Sequence, residues 1–302
     1  MQVQFVTVDV FTDRQFGGNP LAVVLDGQGL ATAQMQAIAS EFNLAETTFV
    51  LPPKDPRNTA HVRIFTPKAE MPFAGHPNVG TAFVLARLGH VCGKPIGGSS
   101  LAFEEIAGLV TMDLIGQGAT TSGSRLSAPQ PLKISGQIDP ELVARACGLS
   151  VSDIETRNHA PCIASCGAPF LFAEVSSRKA LAAAQPNAAT FGSELPRDLV
   201  TGVHLYMPIS DDRVDIQSRM FAPLHGIPED PATGSANVAL IGLLAHLAPE
   251  KDFTITKRIG QGFDMGRPSI MDVEAVKQGG NVVKTFIGGS CVEVTQGVLT
   301  LR

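Results

Sequence analysis

The sequence predicts an α+β protein of two pseudo-equivalent lobes, each a curved, mostly antiparallel sheet wrapped around a central apolar helix. Three observations lead to this fold class. The chain has 302 residues, which suits two domains of about 150 residues each. Residues 77–88 and 235–247 have the composition of helices that are apolar on every side, and such helices must be covered on all faces. Most other patterned segments are typical of strands, so sheets are expected to cover them.

The elements follow from local patterns. The N-terminal lobe is expected to span residues 1–125 and the C-terminal lobe residues 126–302, with a last strand that can cross back. In the first lobe, β-rich runs predict strands at residues 4–11, 21–25, 47–51 and 61–65, and helical spacing predicts a helix at 31–42. Polar residues 116–125 are the best linker candidate. In the second lobe, strands are predicted at residues 170–175, 203–207, 215–221, 253–259, 270–275, 282–287, 291–294 and 298–301.

An internal repeat supports the two-lobed arrangement. Residues 75–86 (GHPNVGTAFVLA) align with residues 234–245 (GSANVALIGLLA), with five of twelve positions identical. Each copy follows a proline-containing loop and opens one of the apolar helices. Chance similarity between two alanine-rich helices is the alternative, but the shared glycine and Asn-Val pair stand in phase. The repeat therefore predicts two related lobes.

The starts of the two helices are candidate binding elements. If the lobes are equivalent, both helix N-termini are expected to face one shared cleft. Unpaired N–H groups and a partial positive charge at a helix start suit a small carboxylate. Ser235 is a candidate donor to such a ligand, and His76 occupies the matching position in the first copy of the repeat. An ordinary helix cap at Ser235 and an ordinary turn histidine at His76 remain the alternatives.

Composition argues against several classes of protein. The net charge is −5, and no basic patch for nucleic-acid phosphates is visible. The longest apolar run, residues 236–247, is shorter than the ~20 residues that a membrane span needs. The N-terminus lacks the pattern of a signal peptide. We expect a cytoplasmic protein that binds neither nucleic acid nor membrane.

Metal and cofactor motifs are also missing from the sequence. The five cysteines are odd in number and form no C-x-x-C, so reduced structural thiols are expected. The glycine-rich residues 260–266 follow a strand, but Pro268 stands where a dinucleotide fingerprint needs a helix. No metal and no cofactor is expected.

Four motifs, in order along the chain, point to a family. They are FT at residues 11–12 followed by FGGNP at 16–20, LAETTF at 44–49, PFAGHP at 72–77 and DPATGSA at 230–236. Together they resemble the PhzF-like phenazine-biosynthesis family over essentially the whole chain. This resemblance implies the fold of diaminopimelate epimerase.

The resemblance also implies an activity. Well-understood members are trans-2,3-dihydro-3-hydroxyanthranilate isomerases, which move a proton between ring carbons without metal or organic cofactor. It places the catalytic glutamate at Glu46 and the pocket histidine at His76. It assigns the family's aspartate and serine to Asp230 and Ser235, with the backbone near Gly75 and Gly234 against the substrate carboxylate. It further implies a homodimer acting on a small-molecule carboxylate.

The chemistry of a single carboxyl group agrees with this assignment. One group that accepts a proton from carbon and returns it nearby suffices for a shift on one face. Such a group must exist protonated near neutral pH, which apolar surroundings favour. Glu46 follows Leu44 and Ala45, so partial burial is expected. Without the motifs, Glu46 would be taken for a surface glutamate.

The sequence departs from the epimerase relatives at one point. Diaminopimelate epimerases and proline racemases use two cysteines beside the glycines that open their central helices. Here those places hold Ala74 and Pro231, or Ala232 in another alignment. Two-thiol racemisation is therefore disfavoured. An amino-acid racemase or epimerase of another kind, and a non-catalytic carboxylate-binding protein on the same fold, remain the alternatives.

Overall fold

In the computed structural model, residues 1–196, 199–209 and 211–301 are described. The chain forms two compact units. The first unit consists of Met1–Ser127 and the C-terminal segment that begins at Gly288, and the second unit is Ala128–Ile287. Helices and strands alternate in both, which confirms the α+β class. The second lobe was predicted to span residues 126–302 with a last strand that can cross back, and in the structure the segment that begins at Gly288 groups with the first unit.

The first unit contains two α-helices and ten complete strands among its described residues. The helices are α1 (Thr32–Phe42) and α2 (Gly75–Leu88). The strands are β1 (Gln2–Val10), β2 (Asn19–Val24), β3 (Glu46–Leu51), β4 (Ala60–Phe65), β5 (Glu70–Met71), β6 (His90–Val91), β7 (Lys94–Pro95), β8 (Ser100–Glu105), β9 (Gly108–Ile115) and β10 (Gly123–Ser127).

The second unit contains four α-helices among its described residues. They are α3 (Pro140–Ala146), α4 (Arg178–Ala183), α5 (Ala188–Ser193) and α6 (Gly234–Leu247). Its strands are β11 (Lys133–Gln137), β12 (Ile154–Glu155), β13 (Cys162–Ser165), β14 (Pro169–Val175), β15 (Val203–Pro208), β16 (Ile216–Ala222), β17 (Ile227–Asp230), β18 (Phe253–Gln261) and β19 (Ser269–Gln278). The last strand, β20 (Asn281–Thr300), begins in the second unit and ends in the first.

The two units pair their strands in the same order. In the first unit, β1–β2, β3–β4, β4–β5 and β8–β9 are antiparallel, while β2–β3 and β4–β8 are parallel. In the second unit, β13–β14, β15–β16, β16–β17 and β18–β19 are antiparallel, while β14–β15 and β16–β18 are parallel. Strands β13–β19 thus repeat the pairing of β1–β5, β8 and β9. The similarity between the two units therefore includes the pairing of their strands as well as their central helices.

A helix buried on nearly every face lies at the centre of each unit. Twelve of the fourteen residues of α2 are buried, as are ten of the fourteen of α6. In α2, Gly80 makes this packing possible. A Cβ atom there would come within 2.7 Å of side-chain atoms of Leu21 and Val10, so only glycine lets β1 and β2 approach the helix this closely. Burial of the apolar side chains of α2 and α6 is the main stabilising contribution of each helix.

The sequence-based boundaries need several corrections. The predicted linker, residues 116–125, lies in the first unit and includes the start of β10. The three strands predicted between residues 282 and 301 are one continuous strand, β20. The hairpin of β8 and β9 was not predicted, nor were α3, α4 and α5. Within the described part of the chain, no helix combines the length and apolar character needed to cross a membrane.

Candidate active site

Glu46 is the first residue of β3 in the first unit. Helix α1 ends at Asn43, whose left-handed backbone (φ 50°) turns the chain towards the sheet. Three residues later, β3 starts parallel to β2, with Glu46 opposite Leu21. The Glu46 side chain keeps only 14% of its surface exposed. The turn after α1 therefore places a carboxyl group in a largely buried position.

His76 lies beside this carboxyl group. It is the second residue of α2, and its side chain is 7% exposed. Its Nε2 atom lies 3.2 Å from Oε2 of Glu46. The ring also hydrogen-bonds to the backbone of Pro20. Since a proline backbone can only accept, and Nε2 faces Glu46, Nδ1 of His76 is the atom that donates to the Pro20 carbonyl.

Burial decides the charge of this histidine. It lowers the pKa of His76 to about 3, against a smaller opposite effect of the Pro20 hydrogen bond. His76 is therefore neutral near pH 7, with its proton on Nδ1 and a lone pair on Nε2. A hydrogen bond between this lone pair and Glu46 needs a proton on the carboxyl group. The pair is thus arranged to stabilise a protonated Glu46.

The start of α2 adds backbone donors at the same place. Ala74 occupies the N-cap and has no side-chain acceptor for the first-turn N–H groups. Gly75 and His76 open the helix, where the dipole favours negative charge. Asn78 donates from Nδ2 to the Ala74 carbonyl at 3.1 Å, which ties the first turn to its cap. This helix start suits a carboxylate ligand.

In the second unit, Asp230, Gly234 and Ser235 surround the start of α6. Asp230 ends β17 and is 8% exposed. Thr233 is the N-cap of α6, but its hydroxyl donates to the Asp230 carboxylate instead of capping the helix. Ser235 is half-buried in the first turn. A buried carboxylate, a hydroxyl and a helix start therefore lie within six residues of each other along the chain.

Gln261, which the sequence analysis did not single out, joins these groups. It ends β18 and is 1% exposed. Its Oε1 accepts from the Thr233 N–H at 3.2 Å and from Asn237 Nδ2 at 2.7 Å. Its Nε2 donates to the Asp230 carbonyl at 2.7 Å and to the Thr233 hydroxyl at 3.0 Å. The amide of Gln261 thus fixes the loop that carries Asp230.

The structure brings the predicted residues together in two groups. Glu46, His76 and Gly75 form one in the first unit, and Asp230, Gly234 and Ser235 form the other in the second. All five cysteines are free and four of them are buried. Among the residues that the structure describes, no three His, Cys, Asp or Glu side chains are arranged to hold a metal ion.

Comparison with known proteins identifies the family. Residues 8–297 match the phenazine biosynthesis-like protein family. The chain belongs to this family. A trans-2,3-dihydro-3-hydroxyanthranilate isomerase of Pseudomonas chlororaphis is 33% identical over 98% of this chain and 99% of its own. A protein of Mesorhizobium japonicum described as an uncharacterized isomerase is 38% identical over 98% of both chains.

Solved structures agree with the membership in the phenazine biosynthesis-like family. The PhzF-family phenazine biosynthesis protein of Bacillus anthracis superposes with a TM-score of 0.88 at 25% identity, with both chains fully covered. A hydroxyproline epimerase from Agrobacterium vitis shares the fold alone, with a TM-score of 0.62 at 14% identity over 99% of this chain and 92% of its own. The predicted epimerase-like fold is therefore confirmed.

In this member of the phenazine biosynthesis-like family, each unit also contains an arginine–glutamate ion pair at the same place, which extends the repeat. Arg63 pairs with Glu70 and Arg219 with Glu229, with nitrogen–oxygen distances of 2.6–2.8 Å. Both guanidinium groups also lie over a phenylalanine two residues later, at 5.1 and 4.9 Å from the ring centroids. The sequence signal is R-x-F-x-P followed by E-x-P, at residues 63–72 and 219–231, and it was available before the structure.

The repeat shows what corresponds to Glu46 in the second unit. Arg63 is opposite Phe49 and Arg219 is opposite Leu205, so Phe49 and Leu205 are equivalent positions of the repeat. Counting back three residues from each, Glu46 corresponds to Gly202. A Cβ atom at Gly202 would lie 2.5 Å from the Phe221 carbonyl oxygen and 3.0 Å from Met220 Sδ. The second unit therefore has neither a carboxyl group nor room for one at this position.

Proposed function

We propose that the protein is a cofactor-independent isomerase that moves a proton between carbons of a small, ring-bearing carboxylate, with Glu46 as the single acid–base group. The observation that carries the proposal is the Glu46–His76 pair, with Oε2 and Nε2 3.2 Å apart. The 33% identity to a trans-2,3-dihydro-3-hydroxyanthranilate isomerase supports a ring acid as substrate class.

The proposed reaction starts with Glu46 ionised. Its carboxylate faces the lone pair of neutral His76, which makes it a stronger base. It takes a proton from a substrate carbon, and the electron pair of that C–H bond moves into the conjugated system. The resulting carboxylic acid donates a hydrogen bond to Nε2 of His76. It then returns the proton to a different carbon of the same substrate, so no atom or electron is gained or lost.

The remaining predicted residues are proposed to assist. Each helix start, at Gly75 in α2 and at Gly234 in α6, is proposed to be able to bind carboxylate oxygens through its own backbone N–H groups. Ser235 would add a hydroxyl donor, and Asp230 would accept a hydrogen bond from a polar substrate group. Asp230→Asn and Ser235→Ala test these roles separately, and each is expected to raise KM or lower kcat without changing the circular dichroism spectrum.

The geometry of the second unit favours this proposal over racemisation by two bases. A two-base racemase needs proton acceptors on both faces of the reacting carbon. The position equivalent to Glu46 is Gly202, where Phe221 leaves no room for a side chain. A second base at the repeat-equivalent position is therefore ruled out, which agrees with a single acid–base group at Glu46.

Glu46→Gln is the first test, because it keeps the shape of the side chain and removes the carboxyl group that accepts and returns the proton. We expect loss of turnover with trans-2,3-dihydro-3-hydroxyanthranilate, by about 10²–10⁴-fold, the usual contribution of general acid–base catalysis. Carbon-bound deuterium from D₂O should disappear from the product, as measured by mass spectrometry.

The matched control is Glu41→Gln, since Glu41 is an exposed residue of α1. It should retain wild-type turnover and deuterium exchange. Undiminished exchange in the Glu46→Gln variant would refute the assigned role. If the wild-type protein turns over no ring acid but exchanges carbon-bound protons of single-enantiomer amino acids, the racemase alternative is favoured.

A further inference from the structure

Glu105 is a buried carboxyl group that the proposed reaction does not use. It is the last residue of β8 in the first unit, and both of its carboxyl oxygens are shielded from solvent. The backbone N–H of Ala107, two residues later, donates to the carbonyl of Pro72. The end of β8 is thereby attached to the segment that leads into α2.

The strand register makes Glu105 the counterpart of Gln261. In the second unit, the parallel pairing of β16 and β18 sets Ser218 opposite Gln261. In the first unit, the parallel pairing of β4 and β8 sets His61 opposite Glu104, so the next pair is Val62 and Glu105. Ser218 and Val62 each directly precede the ion-paired arginine of their unit. Glu105 and Gln261 thus occupy the same position in the repeated fold.

The helix starts beside these two residues are also alike. Asn237 donates from Nδ2 to the Thr233 carbonyl at 3.0 Å, as Asn78 does to the Ala74 carbonyl. Gln261 accepts a second bond from Asn237, and Asn78 is the polar side chain next to Glu105. A carboxylate can only accept hydrogen bonds, whereas a neutral carboxyl group both donates and accepts, as an amide does.

Among the described residues, the side-chain oxygen atoms of Glu105 and Asn78 lack hydrogen-bond donors. In the described part of the chain, Oδ1 of Asn78 is buried and has no hydrogen-bond partner. A buried acceptor without a donor is costly. A protonated Glu105 supplies an O–H group next to Asn78, and an ionised Glu105 does not. Within the described ranges, both carboxyl oxygens of Glu105 are also buried without a hydrogen-bond partner, which favours the neutral acid because a buried carboxylate needs donors. Like the Gln261 amide, the neutral acid can both donate and accept.

We propose, building on the function proposed above, that Glu105 is a positioning residue: its neutral carboxyl group holds the first turn of α2, and with it His76, in place for proton transfer at Glu46. Glu105 does not touch the reacting atoms. It acts through Asn78, two residues after His76 in the same helical turn. Ionisation of Glu105 would replace a donor by a second acceptor and loosen this turn.

Electrostatics agrees with the geometry. Burial raises the pKa of Glu105 to about 8, with a smaller opposite effect of Asn78. The titratable residues on the neighbouring elements are His61 and Arg63 on β4, Glu70 on β5, His76 and Arg87 on α2, and Asp113 on β9. None of them contributes to this shift, and Arg63 is paired with Glu70. Glu105 is therefore protonated at pH 7 and ionises at mildly alkaline pH.

The test compares Glu105→Gln with Glu105→Leu. The Gln variant copies the amide of the second unit, so it should keep wild-type kcat at pH 6.5 and lose the decline of kcat that ionisation of Glu105 causes above pH 8. The Leu variant fills the space without hydrogen bonds, so kcat should fall by roughly 10- to 100-fold, the usual effect of a misplaced catalytic group. Superimposable pH profiles of the Gln variant and the wild type would overturn the proposal.

The neighbouring Glu104 provides the control. Hydrogen bonds from Asn58 and the backbone of Asp55 and Lys54 hold the pKa of Glu104 below its usual range. Glu104→Gln should therefore leave the alkaline part of the pH profile unchanged. If the Leu variant does not fold, the pH profile of the Gln variant decides the matter alone.

A second measurement separates this proposal from the proposed function. Infrared difference spectra between pH 6 and pH 9 should show a carboxylic-acid C=O band that is lost at high pH, and Glu105→Gln should lack it. If Glu46→Gln stays active while the band is present, the proposed function fails and the neutral Glu105 stands. If Glu46→Gln is inactive and the band is missing from wild type, the Glu105 proposal fails alone.

Discussion

Pro20 sets the proton position on His76 in the first unit. The Pro20 carbonyl accepts a hydrogen bond from Nδ1–H of His76. The other ring nitrogen, Nε2, therefore keeps its lone pair and directs it at Glu46. The motifs led to Glu46 and His76 from the sequence alone. They could not lead to the tautomer, because it depends on β2 and α2 meeting in space. The sequence did not indicate Glu105 for a similar reason, since its burial depends on strand register.

His204 in the second unit offers a test of buried histidines without catalytic complications. It is fully buried against Phe172, and burial lowers its pKa to about 3. The unfolded chain takes up this proton at about pH 6.5, so the native state binds fewer protons between these values. The free energy of unfolding should therefore fall as pH decreases below 6.5, by roughly 1.4 kcal/mol per pH unit for this group.

The matching residue of the first unit supplies the variant. His204 corresponds to Thr48, which is also fully buried. His204→Thr should reduce the acid slope measured by urea unfolding at pH 7, 6 and 5, even if the variant is less stable at pH 7. An unchanged slope would show that His204 is not buried in its neutral form.

At the scale of elements, apolar composition was the reliable signal. The central helices were predicted from residues 77 and 235, and in the structure α2 and α6 begin at Gly75 and Gly234. The β8–β9 hairpin was not predicted, although buried Leu101 and Phe103 alternate with more exposed residues. Its charged and exposed residues obscured a period-two pattern whose partner strand was not yet known.

Gly80 tests how tightly α2 is enclosed. Ala favours a helix over Gly by about 1 kcal/mol, but here its Cβ would overlap Leu21 and Val10 at 2.7 Å. We expect Gly80→Ala to lower the free energy of unfolding by roughly 1–3 kcal/mol, as overpacking does. Urea unfolding at pH 7 measures this change.

Gly97 provides the matched control within the first unit. No atom lies within 4 Å of a Cβ built there, and its φ angle is ordinary. Gly97→Ala should stay within about 0.5 kcal/mol of wild type. A Gly80→Ala protein as stable as this control would show that β1 and β2 can move away from the helix.

At the scale of the whole molecule, the twelve-residue repeat was a correct guide to two related units. A last strand that can cross back was expected, but the repeat did not show where β20 leaves the second unit, because a strand's partner is a long-range property. It also did not show the difference between Glu46 and Gly202, which lie before the aligned segments. The duplicated pattern of strand pairing is what made that comparison possible.

The assembly state remains a prediction from the family resemblance. We expect a homodimer, so light scattering coupled to size exclusion should give twice the chain mass of 31.7 kDa. Dilution over a hundredfold range should leave this value unchanged if the dimer is tight. A mass of one chain at all concentrations would contradict the prediction.

The missing space at Gly202 restricts how this scaffold can be redesigned. An engineer who wants a two-base racemase cannot install the second base by a point substitution at the repeat-equivalent site, because the obstacle is the backbone carbonyl of Phe221. The strand itself would have to be rebuilt, for example by grafting residues 46–51 and their neighbours from the first unit. Laboratory selection from libraries of single substitutions at Gly202 should therefore yield no variant with a second base at this position.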